Sequence, residues 1–151
     1  MRVVLFNNGR APDRVWSTVD EYAINLDAAL LDFGRDESYC GLVWQYGPAC
    51  GRFGSFYAHH SSGVHRCDNG NTLVTLGVQG IVFEVTRDLK EVWRYINPVE
   101  NRGDRDAAAF VKQGDQRVSS KHGLFFTRRY SQDLATLKQR LPLPPGKYLE
   151  G

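Results

Sequence analysis

With 151 residues, 42% of them hydrophobic and 24% charged, the chain has the make-up of an ordinary folded domain with length for one good core, which excludes wholesale disorder. Its 19 Lys and Arg against 17 Asp and Glu leave a formal charge of only +2, so no broad field draws it to nucleic acid or to an anionic membrane. No apolar run is long enough to span a bilayer, RVVLF after Met1 is too short for a signal-peptide core, and nothing assigns a compartment.

In chain order, RVVLFNNG reads as a strand, followed by an insertion at Arg10 to Arg14 and a second strand, STVDEYAINLD. A long turn from Ala28 to Cys40 leads to a third strand containing VWQYGP. Ahead of the next strand, Tyr57 reads as a loop residue, and loop positions at a blade edge are one reading of His59, His60 and His65. From Asn69 to Ile96 the pattern is a meander, with strands at Thr72 to Leu76, Ile81 to Thr86 and Glu91 to Ile96. Asn69-Gly70, the pair Gly77 and Gly80, and Arg87 to Lys90 supply its turns. Residues 101–116 are polar loop with a helical turn at Asp106 to Val111. HGLFFTRRY is predicted as a last strand, and Ser131 caps a short helix carrying Leu134, Leu137 and Leu141, which Pro142 stops ahead of an extended tail.

VWQYGP and VWRYINP are two copies of one signature, their tryptophans Trp44 and Trp93 lying 49 residues apart. A period near 50 residues with several strands per unit is that of a β-propeller blade. The expected fold is therefore all-β, with antiparallel propeller-like blades over 1–130 and a short helix and tail over 131–151. About three blades fit this length, fewer than the roughly four to eight that close a propeller. The chain is then either a piece of a longer protein or assembles with a second copy. Trp44, Tyr46, Trp93 and Tyr95 are expected to pack between neighbouring blades. Cys40, Cys50 and Cys67 lack metal or redox spacing and leave room for one disulfide.

The ordered set LFNNGR, STVDEYAINLD, LVWQYGP, SFYAHHSSGVHRCDNGNTLVTLG and IVFEVTRDLKEVWRYINP, covering about residues 3 to 98, resembles the C-terminal part of the arylsulfotransferase family, the PAPS-independent aryl-sulfate sulfotransferases. The resemblance implies a six-bladed propeller that moves a sulfuryl group from a phenolic sulfate ester to a phenol through a transiently sulfated histidine, with no nucleotide, metal or other cofactor. A neutral imidazole is a competent nucleophile for this, and fixed cations steady the transferring oxygens. In the family that histidine lies upstream of the segment matched by LFNNGR, so this stretch is not expected to be active alone. Asn7 stands where the family has an acid, and Thr18 where it has an arginine. The implied partners are a small phenolic or sulfated ligand and the rest of a propeller, with no nucleic acid and no membrane. The competing function is a non-catalytic propeller-type module that binds a ligand or a protein.

His59, His60 and His65 are the candidate catalytic residues, as a replacement nucleophile or as sulfate ligands; ordinary loop histidines are the competing reading. Their spacing with Cys67 is not that of a metal site. Asn7, Asn8 and Arg10 match the family strand end that faces the funnel, and Arg10 offers paired N–H groups to an anion; a tight Asn-Gly turn would explain the same residues. Ser17 and Tyr57 align near cavity-lining positions. His122 reads as structural. Arg102, Arg105, Arg128 and Arg129 fit either a small anion or a solvated face.

Overall fold

The structure is a computed structural model in which residues 1–25, 40–47, 56–99 and 122–130 are described, with Ala135 and Gln139. It is all-β, built of two antiparallel sheets. The first has the order β1-β2-β3, from Arg2–Asn7, Thr18–Ile24 and Cys40–Tyr46. The second has the order β4-β5-β6-β7, from Ser62–Arg66, Thr72–Leu76, Ile81–Val85 and Glu91–Ile96. β1 lies beside β4, so the sheets meet face to face with their first strands adjacent.

Strand alternation sorts every residue to one side. The front of the first sheet carries Val4, Phe6, Val19, Trp44 and Tyr46, and packs on the back of the second, which carries Val64, Val74, Leu76, Ile81, Phe83 and Val85. Phe56, from the connection between the sheets, lies 5.5 Å from Phe6, 5.4 Å from Tyr46 and 6.0 Å from Phe83, ring centre to ring centre. One core thus spans both sheets. A smaller cluster of Cys67, Leu73 and Val82 lies on the front of the second sheet under Leu124.

The internal repeat is visible in the register. Val19 faces Tyr46, Glu21 faces Trp44 and Tyr22 faces Leu42, which leaves Val43 as a bulge residue. In the second sheet Val82 faces Tyr95, Glu84 faces Trp93 and Val85 faces Glu91, which leaves Val92 in the same place. The signature Val-Trp-x-Tyr is therefore a bulge, a tryptophan opposite a buried glutamate, and a tyrosine one rung on.

The Gly70 turn has φ +84°, as Asn-Gly predicts, and the turn between β5 and β6 is a short 3-10 segment, Gly77–Gln79, closed by Gly80 at φ +65°. A side chain on Gly80 would come within 2.2 Å of the His122 carbonyl.

Three expectations need correction. His65, for which a loop position is one reading, lies on strand β4. Its sequence hides this, because Gly63 is buried under the Phe126 ring and Arg66 points inward to Glu21. HGLFFTRRY does not form a strand: Leu124 donates its N–H to the Gly77 carbonyl, and side chains rather than a ladder hold the segment to the front of the second sheet. Of the aromatic quartet, Tyr46 is buried and Trp44 partly so, but Trp93 is 49% and Tyr95 37% exposed, because no strand covers the second sheet's front among the described residues. The helical turn at 106–111, the C-terminal helix and tail, Cys50, Arg102 and Arg105 lie outside the described residues. Cys40 and Cys67 are free thiols.

Candidate functional site

The candidate residues gather at the end of the first sheet where β1 runs out. Asn7 closes β1, the chain turns through Asn8 to Arg14, and Ser17 leads it back into β2. Arg10 and Arg14 bond each other's backbone across that turn. The buried Ser17 hydroxyl is the hub. It accepts hydrogen bonds from the N–H groups of Gly9 and Ala58, each at 2.9 Å, and donates to the Ala58 carbonyl at 3.0 Å. Gly9 is glycine for close approach: a Cβ there would lie 2.4 Å from the Tyr57 ring.

The connection ahead of β4 is thereby pinned to the end of β1. The Tyr57 hydroxyl accepts from Ala11 N–H at 3.3 Å, and its carbonyl accepts from the Gln79 side chain. The Tyr57 ring stacks 6.2 Å from that of His59, which meets His60 edge-on at 4.1 Å. Asn7, Asn8, Arg10, Tyr57, His59 and His60 are thus gathered around the buried Ser17 hydroxyl. His65 is not part of this group. It sits three residues along β4 from Ser62, roughly 10 Å at strand spacing, opposite Leu73.

Two residues of this end were not singled out in the sequence. Arg14 donates to the Asn7 side-chain oxygen at 2.6 Å and to the Asn8 carbonyl, and the Asn7 amide donates to Asp20 at 3.1 Å. A cation and an acid therefore flank Asn7, although neither stands at the positions that the family resemblance marks. No local pattern links Arg14 to Asp20; the β1–β2 pairing does.

A second polar cluster locks the sheets together. Glu21, almost buried, accepts from Arg2, Arg66 and Arg87. The Arg66 and Arg87 guanidiniums lie 5.0 and 5.7 Å from the Trp44 ring centre, and the Trp44 N–H donates to the Arg87 carbonyl. Burial alone would raise the Glu21 carboxyl, but the three arginines outweigh it and hold the pKa below the ordinary carboxylate value. Glu84, the equivalent acid, is bonded by Asn69, Asn71 and Arg129. They likewise overcome its burial and lower its pKa. The Cys67 thiol is pushed up by burial and by Glu84, the opposite of an activated nucleophile.

His122 is buried, and neither ring nitrogen has a hydrogen-bond partner among the described residues. Among those residues there is also no group of three or more His, Cys, Asp or Glu that could hold a metal, and no helix long and apolar enough to cross a membrane.

Comparison with known proteins finds no family model, no curated protein and no solved structure that matches the chain.

Proposed function

We propose that the chain supplies successive blades of an arylsulfotransferase-like β-propeller, and that its polar end binds a small phenolic sulfate ester without itself providing the nucleophile. The observation that carries this reading is the Ser17 hydroxyl, which ties Gly9 to Ala58. It brings together the two segments that the resemblance assigns to the cavity.

Arg10 is exposed at this end and presents a guanidinium fork suited to sulfate oxygens. The stacked Tyr57 and His59 rings offer a flat apolar surface for the aryl group. Asp20 and Arg14, both bonded to Asn7, supply an acid and a cation beside the matched strand end. His59 and His60 lie together but His65 stands apart on β4, so the three histidines do not form one catalytic group, which favours binding over catalysis.

Calorimetric titration with p-nitrophenyl sulfate tests the reading. Saturable binding that Arg10→Ala weakens at least about tenfold, roughly 1.4 kcal/mol, supports it. The absence of saturable binding, or binding indifferent to Arg10→Ala, overturns it. Transfer to a phenol acceptor by this chain alone contradicts the non-catalytic role.

A second reading, a propeller-type module that binds some other ligand or a protein, is favoured by one observation: Asn7 and Ser17 already spend their polar atoms inside the fold. A folded chain that ignores the ester selects it.

A further inference from the structure

We infer that the arginine cluster around Glu21 is a binding site for a doubly charged tetrahedral oxyanion such as phosphate, free or as the head of a small ester, held by Arg2 and Arg87. The inference does not rest on the sulfate-ester reading. Arg2 opens β1 and lies five residues from Asn7, roughly 17 Å at strand spacing, so either can fail alone.

The chain contains its own measure of how much cation a carboxylate needs at this place. Glu84 stands opposite Trp93 as Glu21 stands opposite Trp44, and the two acid side chains are equally buried. Glu84 is bonded by one arginine, Arg129, and by the uncharged amides of Asn69 and Asn71. Glu21 is bonded by three arginines, none of which pairs with a second carboxylate among the described residues. Among those residues one negative charge therefore faces three positive ones. This local excess stands out in a chain whose whole formal charge is only +2.

The three arginines are not alike. Arg66 has both terminal nitrogens engaged: Nη2 on Glu21, and Nη1 on the Gly70 carbonyl at 3.1 Å and the Thr72 hydroxyl at 2.5 Å. Arg2 and Arg87 each place only Nη1 on the acid, Arg2 on Oε1 and Arg87 on Oε2. Their side chains are 60% and 47% exposed, against 25% for Arg66. Each thus keeps the edge formed by Nε and Nη2, with its paired N–H groups, for a ligand. One carboxylate holds both heads, so little ordering is left for binding to do.

Crowded cations also repel one another. Burial lowers the Arg66 pKa, Glu21 raises it, and the neighbouring Arg87 and Arg2 lower it again. An oxyanion with two negative charges cancels the excess, and its oxygens match guanidinium forks. Arg2 belongs to β1 and Arg87 follows β6, so the bound ion bridges the two sheets and favours the folded junction by mass action.

Calorimetric titration of the full chain with sodium phosphate at neutral pH, with ionic strength held constant by sodium chloride, is the test. Saturable binding is expected with a Kd of about 1 mM or tighter. Arg2→Gln and Arg87→Gln are each expected to weaken it at least about tenfold. Arg128→Gln, which removes the same charge from the front of the second sheet, is expected to leave it unchanged. Urea unfolding of the unaltered chain is the second measurement, and phosphate is expected to raise the midpoint above that in sodium chloride of equal ionic strength. Glycerol 3-phosphate separates the sources: tighter binding than phosphate assigns the site to an ester, equal or weaker binding to the free ion. A midpoint that phosphate leaves where chloride does overturns the inference. So does binding that Arg128→Gln weakens as much as Arg87→Gln, since that is screening of the whole chain's charge.

Discussion

The Glu21 carboxylate and the Trp44 indole face each other on adjacent strands and share two cations, Arg87, 5.7 Å from the ring centre, and Arg66, which lies 2.5 Å from the acid and 5.0 Å from the ring centre. Arg66 belongs to the other sheet. The contact between sheets is thus a charge neutralised and a ring covered by the same side chain, set at the rim of an otherwise apolar core.

Acid should loosen this junction. Glu21 and Glu84 are both held below their ordinary value of 4.5 in the folded chain. A group with a depressed folded pKa stabilises fully above its unfolded value and loses that contribution as pH falls through the folded one. Stability is therefore expected to fall as pH drops below 4.5, and Glu21→Gln to flatten that fall. Urea unfolding midpoints across this range check it.

Phe83 and Trp93 should answer alanine very differently, although both belong to the same sheet. Phe83 is 1% exposed and touches Tyr46 and Phe56, so Phe83→Ala is expected to cost about 3 to 5 kcal/mol. Trp93→Ala is expected to cost less than about 1 kcal/mol. Denaturant unfolding with an unchanged slope separates the two.

Ser17→Ala removes a hub and leaves the Ala58 N–H buried without its partner. The expected loss is about 1 to 3 kcal/mol, with greater protease sensitivity in the Tyr57 to His60 connection. Cysteine at the same position keeps the volume but not the bond geometry, and should not restore the wild-type midpoint.

Gly80→Ala meets two obstacles, a positive φ and the His122 carbonyl. It is expected to destabilise by more than about 1 kcal/mol, whereas Gly41→Ala, with open space around its Cβ, should be near neutral. Thermal melts of the two variants make the comparison.

Much of the fold was legible. β-rich runs bounded by turn residues placed RVVLFN and TLVTL, period-two alternation sorted the faces of IVFEV, and the repeated Val-Trp-x-Tyr announced two equivalent units. What escaped was anything decided by a neighbour. Strand β4 carries Gly63 and Arg66 where a strand usually shows apolar residues, since a phenyl ring needs one site and a distant carboxylate the other. Trp93 looks identical to Trp44 in sequence; whether a tryptophan is buried depends on what lies across from it. At the polar end, Asn7, Ser17 and Tyr57 could be nominated singly, but their meeting depends on a hydroxyl that sequence spacing does not reveal.

The two bulge residues, Val43 and Val92, also fix the register of their tryptophans in the same way. The turns that feed their strands differ greatly in length, from the long stretch before Cys40 to the four residues Arg87 to Lys90, and a change of one residue in a plain hairpin would flip every later side chain to the opposite face. In both sheets the bulge falls just before the tryptophan, so Trp and Tyr occupy the same face although the two connections differ in length. Turns of different length in this protein therefore leave undisturbed the faces by which its sheets recognise one another.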